Sequence, residues 1–278
     1  MFAVGIAALS ALVWGSADFC GGKATRRGGA LAVTVVSQIF GLPMLLVCVL
    51  LLPGRPTGSD LAWGAAAGAA GLAGIVLLYK GLASGRMAVV APITAVTSAL
   101  IPMVTGLLLD RAPGTLAITG AVCAVLAIGL VSLGPSERGG APVGGRLIGL
   151  ALASGTMFGL FFALLGQADE GAGMWPLVGV RACSISVGLL VMLRRGVSVR
   201  VPRAVMPWVV AAGAGDIGAN ALYLIAVQDG LMSVIAPIAA LYPVSTVLLA
   251  LAVDKERVRP VQWAGLAFAA SALVLTAV

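Results

Sequence analysis

Residues 215–238, GDIGANALYLIAVQDGLMSVIAPI, restate residues 71–93, GLAGIVLLYKGLASGRMAVVAPI. An offset of 144 pairs Gly71 with Gly215, Gly74 with Gly218, Leu78 with Leu222 and Tyr79 with Tyr223, and an offset of 145 pairs Ala91-Pro92-Ile93 with Ala236-Pro237-Ile238. Working outward, the same register joins Ser10 to Ser154, Gly15 to Gly159 and Gly120 to Gly265. Ala, Gly and Leu matches arise readily by chance in so apolar a chain, so the weight rests on tyrosine and proline. Two of only three tyrosines pair, and each copy places Ala-Pro-Ile with its proline 13 or 14 residues after its tyrosine. One unit is written twice.

The composition sets the solvent of that unit. Apolar residues make up 60% of the 278, charged residues 10%, and mean hydropathy is +1.11. A water-facing surface needs far more charge, so the chain is an all-α integral membrane protein. Ten apolar segments have the length of about 20 residues that crosses a hydrocarbon core: 2–19, 30–52, 61–80, 87–109, 115–133, 147–167, 174–193, 205–227, 231–253 and 259–277. Five fall in each copy, giving repeats at 1–133 and 147–278 joined by the Gly- and Pro-rich linker 134–146, GPSERGGAPVGGR. The run Phe2–Phe19 lacks a basic leader, and its Ser10 and Gly15 recur inside the chain, so it reads as part of the fold and not as a signal peptide.

The loop charges orient the copies. Fourteen of the seventeen Lys and Arg residues lie in odd-numbered loops, while even-numbered loops hold only Arg55 and Arg111. The positive-inside rule then places the odd loops in the cytoplasm and both termini outside, in a plasma-membrane protein. An odd number of spans per copy makes the two copies enter the bilayer from opposite sides, so the repeat is inverted. Inverted membrane repeats are a signature of secondary transporters. The net charge of +7 is spread over short loops, which excludes a nucleic-acid face and suits lipid headgroups. Cys20, Cys48, Cys123 and Cys183 have no paired spacing and the chain has no histidine, so neither a metal, a cofactor nor a disulfide framework is expected. The partners expected are a small-molecule solute, the lipid bilayer and a coupling proton or counter-solute, with the chain a monomer or homodimer.

Chemistry concentrates in a few intramembrane polar residues. Arg181 falls roughly 10 Å below the outer surface and Asp216 roughly 15 Å from the cytoplasmic one, at 1.5 Å per residue. They can meet, either as part of a solute site or as a structural ion pair. Asp216, Asn220 and Tyr223 fall at i, i+4 and i+7 on one helical face, whereas the first copy has Leu72, Val76 and Tyr79 there. Pro92 and Pro102 are expected to interrupt the fourth helix, and Pro237 and Pro243 the ninth, as hinges or gates. Tyr242 is expected to face the cavity. Asp18, four residues after Trp14, and Asp216 are the carboxylates available for proton coupling. Gly213-Ala214-Gly215-Asp216 also spells the GxGD motif of intramembrane aspartyl proteases, which need a second aspartate at matching depth. Small-xxx-small pairs, Gly64/Gly68, Gly81/Gly85, Gly145/Gly149 and Gly155/Gly159, are expected to pack helices.

The chain resembles the EamA family of the drug/metabolite transporter superfamily. The resemblance covers nearly all of it: ten helices in two five-helix repeats, Trp14-Gly15 in the first helix, LYKGLASG and LYLIAVQDG closing the third and eighth, the Pro-containing fourth and ninth, and the acidic turns Asp110-Arg111 and Asp254-Lys255-Glu256-Arg257. It implies alternating-access transport of small polar metabolites or amino-acid-like solutes, often export, with no enzymatic activity. Trp14, Tyr79, Arg181, Asp216, Asn220, Tyr223 and Tyr242 are the residues expected to line the solute site. An arginine in the second helix of a repeat is a family character; Arg181 matches it, while Ser37-Gln38 stands at that place in the first copy. Family members usually have cytoplasmic termini, against the charge count here. The related small multidrug transporters carry a glutamate in the first helix, where this chain has no acidic residue before Asp18; a cation/proton antiporter is a further alternative if Asp18 or Asp216 takes that role. Cysteines introduced beside Arg27 and Arg200 should label from the same side of the membrane, and labelling from opposite sides would undo the inverted arrangement.

Overall fold

Glycine and proline, more than hydropathy, set the course of the helices. The computed structural model describes residues 2–25, 27–82, 87–109, 113–132, 145–254 and 259–277. They form α1 (Phe2–Thr25), α2 (Ala30–Phe40), α3 (Leu42–Leu51), α4 (Gly58–Leu82), α5 (Met87–Leu109), α6 (Thr115–Val131), α7 (Gly145–Leu165), α8 (Trp175–Arg194), α9 (Met206–Gln228), α10 (Met232–Ala239), α11 (Tyr242–Asp254) and α12 (Pro260–Ala277). Among the described residues, six spans are long and apolar enough to cross a membrane: α1, α2 with α3, α4, α7, α8 and α9. Shorter apolar helices lie within α5, α6, α10–α11 and α12.

Two of the expected spans are broken rods. The second kinks at Gly41, where Pro43 in the first turn of α3 cannot donate to the Ile39 carbonyl. The ninth breaks at Ala240–Leu241, where Leu241 N–H bonds the Ile238 carbonyl and Val244 N–H the Leu241 carbonyl in tight three-residue steps. Pro243 enters α11 just beyond. Pro237, by contrast, stays inside α10. The fourth helix departs from expectation: α5 keeps its helical course through both Pro92 and Pro102. Hydroxyls of Thr97 and Thr105 donate to the Ile93 and Ile101 carbonyls within it.

Helix partnerships obey the repeat. Exchanging each helix for its counterpart turns the α1–α9 contact into α7–α4, α2–α9 into α8–α4, and α1–α11 into α7–α5, all of which are present. Pairs that map onto themselves run antiparallel: Gly120 of α6 faces Ala272 and Thr276 of α12 while Gly265 faces Val131, and Gly106 near the end of α5 faces Met232 and Ser233 at the start of α10. A two-fold axis that reverses helix direction lies in the membrane plane, so the repeats are inverted. Hydrogen bonds repeat as well: Ser10 Oγ donates to the Ala219 carbonyl and Ser154 Oγ to the Gly74 carbonyl, each at 2.8 Å.

The closely packed bodies are not the two sequence repeats. One group joins α1, α2–α3, α9 and α10–α11; its mirror joins α7, α8, α4 and α5. Each group holds two spans from each repeat. Within a group, backbones touch through glycine. Gly64 and Gly68 of α4 sit against the Pro176 and Val180 carbonyls, Gly179 against that of Leu61, and Gly213 of α9 against that of Ser37. Gly155 and Gly159 meet α5 at Thr94 and Ile101, whereas Gly145 and Gly149 face open space and pack nothing within 4 Å; the Gly81/Gly85 pair lies outside the described side chains.

On the even-loop face, α4 opens with a reciprocal cap: Thr57 N–H and Oγ donate to the Asp60 carboxylate at 2.8 and 2.6 Å. The other Asp60 oxygen accepts from the Asp169 backbone N–H at 2.9 Å, and Arg55 N–H bonds the Gly171 carbonyl at 2.8 Å. The two loops are thereby fastened together, with Gly173 at φ +54° allowing their close approach. Gly213→Leu should lower unfolding stability in detergent by about 1–3 kcal/mol, because its side chain meets backbone, while Gly149→Leu should stay within about 0.5 kcal/mol. Thermal melts of the two variants check this contrast.

Candidate functional site

The groups meet around an ion pair. Arg181 of α8 donates from Nη2 to Oδ2 of Asp216 on α9. Glycines on these helices bring the surrounding backbones close, and the helical spacing of α9 turns Asp216, Asn220 and Tyr223 the same way. The pair is lopsided: Arg181 is 6% exposed, whereas the Asp216 side chain is 37% exposed. A guanidinium in so dry a place needs its partner, while protein leaves part of the carboxylate uncovered. Trp14 Nε1 of α1 donates to Asp216 Oδ1 at 3.3 Å, and Asn220 Nδ2 donates to the same oxygen at 3.2 Å and to the Asp216 carbonyl at 2.6 Å. Buried Arg181 Nε and Asn220 Oδ1 have no partner among the described residues, which leaves a donor and an acceptor beside the pair.

Polarity changes along the membrane normal. Toward the even loops, Trp14 packs edge-on to Phe162 of α7 at 5.2 Å between ring centroids, and Phe162 packs on Tyr223 at 5.0 Å. Tyr223 is fully buried, and its hydroxyl donates to the Phe162 carbonyl at 3.0 Å. It stands behind the polar wall as part of an aromatic plug. Toward the odd loops, one turn from Trp14, Asp18 is exposed to solvent although protein surrounds it and Asp216 and Tyr242 lie within its electrostatic reach. Tyr242 at the start of α11 is half-buried, packs on Trp14 at 6.5 Å and bonds Ser98 of α5. At the repeat offset of 144, Asp18 answers to Phe162 and Trp14 to Phe158, so one copy supplies a carboxylate where the other supplies a ring.

Of the residues expected at the site, the structure brings together Trp14, Arg181, Asp216, Asn220, Tyr223, Tyr242 and Asp18. The side chains of Tyr79 and Pro92 lie outside the described residues. Pro102 is buried within α5, and Pro237 and Pro243 flank the α10–α11 break. Two features went unread in the sequence. Phe162 completes the plug, and its exchange for Asp18 across the repeat was the signal for it. Ser184 Oγ of α8 donates to Gln38 Oε1 of α2 at 2.7 Å in a buried contact between the groups; Gln38 adjoins the place that Arg181 fills in the other copy. The GxGD glycines have a packing explanation, with Gly213 against Ser37 and Gly215 against Ala17, and the Asp216 carboxylate is engaged by Arg181, Trp14 and Asn220 rather than hydrogen-bonded to a second carboxyl among the described residues.

A family model described as the EamA-like transporter family matches the chain twice, over residues 1–133 and 146–278. The chain belongs to the EamA-like transporter family. As an EamA-like protein it is a multi-pass membrane transporter of the drug/metabolite type. Its fold also recurs in a crystal structure that superimposes with a TM-score of 0.78 at 14% identity, covering 98% of this chain and 95% of that one. Among curated proteins nothing matches it.

The unequal exposure of the ion pair has a measurable consequence. Asp216→Asn strands a buried guanidinium and should cost roughly 3 kcal/mol or more of stability, whereas Arg181→Gln leaves a carboxylate that protein only partly covers and should cost about 1 kcal/mol. Equal losses in denaturation measurements would contradict this reading.

Proposed function

We propose that this EamA-like chain is a secondary transporter that exports small polar metabolites or amino-acid-like solutes across the plasma membrane by alternating access. The observation that carries the reading is the Arg181–Asp216 pair, set between two helix groups with one partner buried and the other partly uncovered. A solute carrying both an anionic and a cationic group can exchange partners with such a pair: its carboxylate takes the guanidinium while its ammonium takes Asp216. Uncompensated burial of either charge is avoided throughout. Asp18, on the same helical face as Trp14, adds a second carboxylate on the odd-loop side, where it can attract the cationic group or take up a coupling proton.

Movement follows the packing. The group containing α1 and α9 and the group containing α4 and α7 are the bodies that rock, since each is welded internally by glycine contacts. The α10–α11 break at Ala240–Leu241, between Pro237 and Pro243, and the Gly41–Pro43 kink absorb the change. The aromatic plug of Phe162, Tyr223 and Trp14 serves as the even-side gate, with the bonded even loops above it. Solute bound at the pair is thus held from one face while the other stays accessible.

Purified protein reconstituted in liposomes and challenged with a panel of zwitterionic, anionic and cationic metabolites tests the proposal. Arg181→Gln and Asp216→Asn should each cut zwitterion flux by about tenfold or more, the effect of losing roughly 1.4 kcal/mol of solute interaction. Asp18→Asn should abolish dependence on an imposed proton gradient while solute exchange persists. Full flux in both pair variants would remove the pair from the solute path.

A further inference from the structure

The outward side of the α1–α9 seam carries two adjoining hollows that the transport reading does not use. One, of about 270 Å³, is bordered by Leu12, Ser16 and Cys20 of α1 and by Ala211 and Gly215 of α9. The other, of about 230 Å³, is bordered by Lys23, Arg27, Val205 and Trp208. They lie end to end: Cys20 and Lys23 are one turn apart on α1, as are Ala211 and Trp208 on α9. Val13 and Ala17 line the floor of the first hollow, where Gly215 packs so closely on α1 that a Cβ there would lie 3.0 Å from the Ala17 Cβ. It is lined by apolar and small side chains and opens outward, with Leu12 52% exposed. The second combines two cations with the edge of a 40% exposed tryptophan.

We propose that this groove is a binding site for one anionic phospholipid, its phosphate held by Lys23 and Arg27 and one acyl chain laid along α1 and α9. Charge complementarity selects the headgroup: a pair of basic side chains at the end of an apolar trough attracts a phosphate, and the trough itself offers nothing to a free ion. Length selects the lipid. From Lys23 to Leu12 the groove runs about 16 Å at 1.5 Å per residue, close to the roughly 15 Å depth of one leaflet of hydrocarbon. Trp208 stands at the level where its amphipathic ring prefers to lie, the membrane interface. Lys23 also lies over the Phe19 ring at 5.1 Å, which turns its ammonium along the helix surface at the mouth of the groove. The site is on the opposite side of α1 from Trp14 and Asp18, so a lipid there bears on α1 and α9 from outside without entering the solute path.

The experiment is native mass spectrometry of the full chain released from vesicles of equimolar phosphatidylglycerol and phosphatidylcholine, with thermal melts in neutral detergent to confirm folding. The wild type should retain one phosphatidylglycerol preferentially. K23Q/R27Q should lower that retention about tenfold or more, from the loss of two charge contacts. S16F, which fills the trough and leaves both cations in place, should lower it comparably. Unchanged retention in K23Q/R27Q overturns the headgroup assignment, and unchanged retention in folded S16F overturns the groove. Displacement of the lipid by millimolar inorganic phosphate overturns the lipid assignment in favour of a free anion. None of these readouts requires transport, so they stand or fall apart from the solute site.

Discussion

Inside a bilayer, water no longer drives apolar helices together, and association must come from close contact of backbones and from polar groups that have no other partner. This protein meets that constraint with glycine. Gly64, Gly68 and Gly179 lock α4 to α8, and Gly41 and Gly213 lock the second span to α9. Where those contacts are tightest, the helices are near enough for a single arginine to reach a single aspartate. The ion pair is therefore a product of small side chains elsewhere, and its geometry depends on residues that carry no charge at all.

The duplicated unit gives the scaffold symmetry, and a few substitutions remove it where function needs a direction. Ser10 and Ser154 keep equivalent hydrogen bonds. Asp216 has lost its counterpart to Leu72, and Arg181 to Ser37. Asp18 corresponds to Phe162 across the repeat, so the two copies differ in kind there: one carries a carboxylate, the other a ring. The bonds from Asp60 and Arg55 fasten the loop before α4 to the loop after α7 on the even-loop face.

Much of this was legible in the sequence, because repeats, span lengths and intramembrane charges obey rules that act residue by residue. The tyrosine and proline spacing exposed the duplication, and the depths of Arg181 and Asp216 foretold their meeting. In α5 the backbone stays helical through Pro92 and Pro102, which spacing alone does not reveal. The ninth span did break, but after Pro237 and just before Pro243, where two consecutive tight turns replace regular bonding. Phe162, and the contact of Ser184 with Gln38, escaped notice since such roles depend on which helices become neighbours, and hydropathy does not encode neighbours. The mixed membership of the two helix groups was hidden for the same reason.

That mixed membership bears on how the chain is made. Ser10 waits for Ala219, 209 residues away, and at about 5–20 residues per second of synthesis the delay is roughly 10–40 s. Throughout it, α1 and the second span sit in lipid without the surfaces they will finally pack against. A nascent chain in that condition relies on lipid or on insertion machinery to shield its glycine-lined faces. The second repeat then acts as a template that sorts the first, and assembly is completed only after nearly the whole polypeptide has entered the membrane.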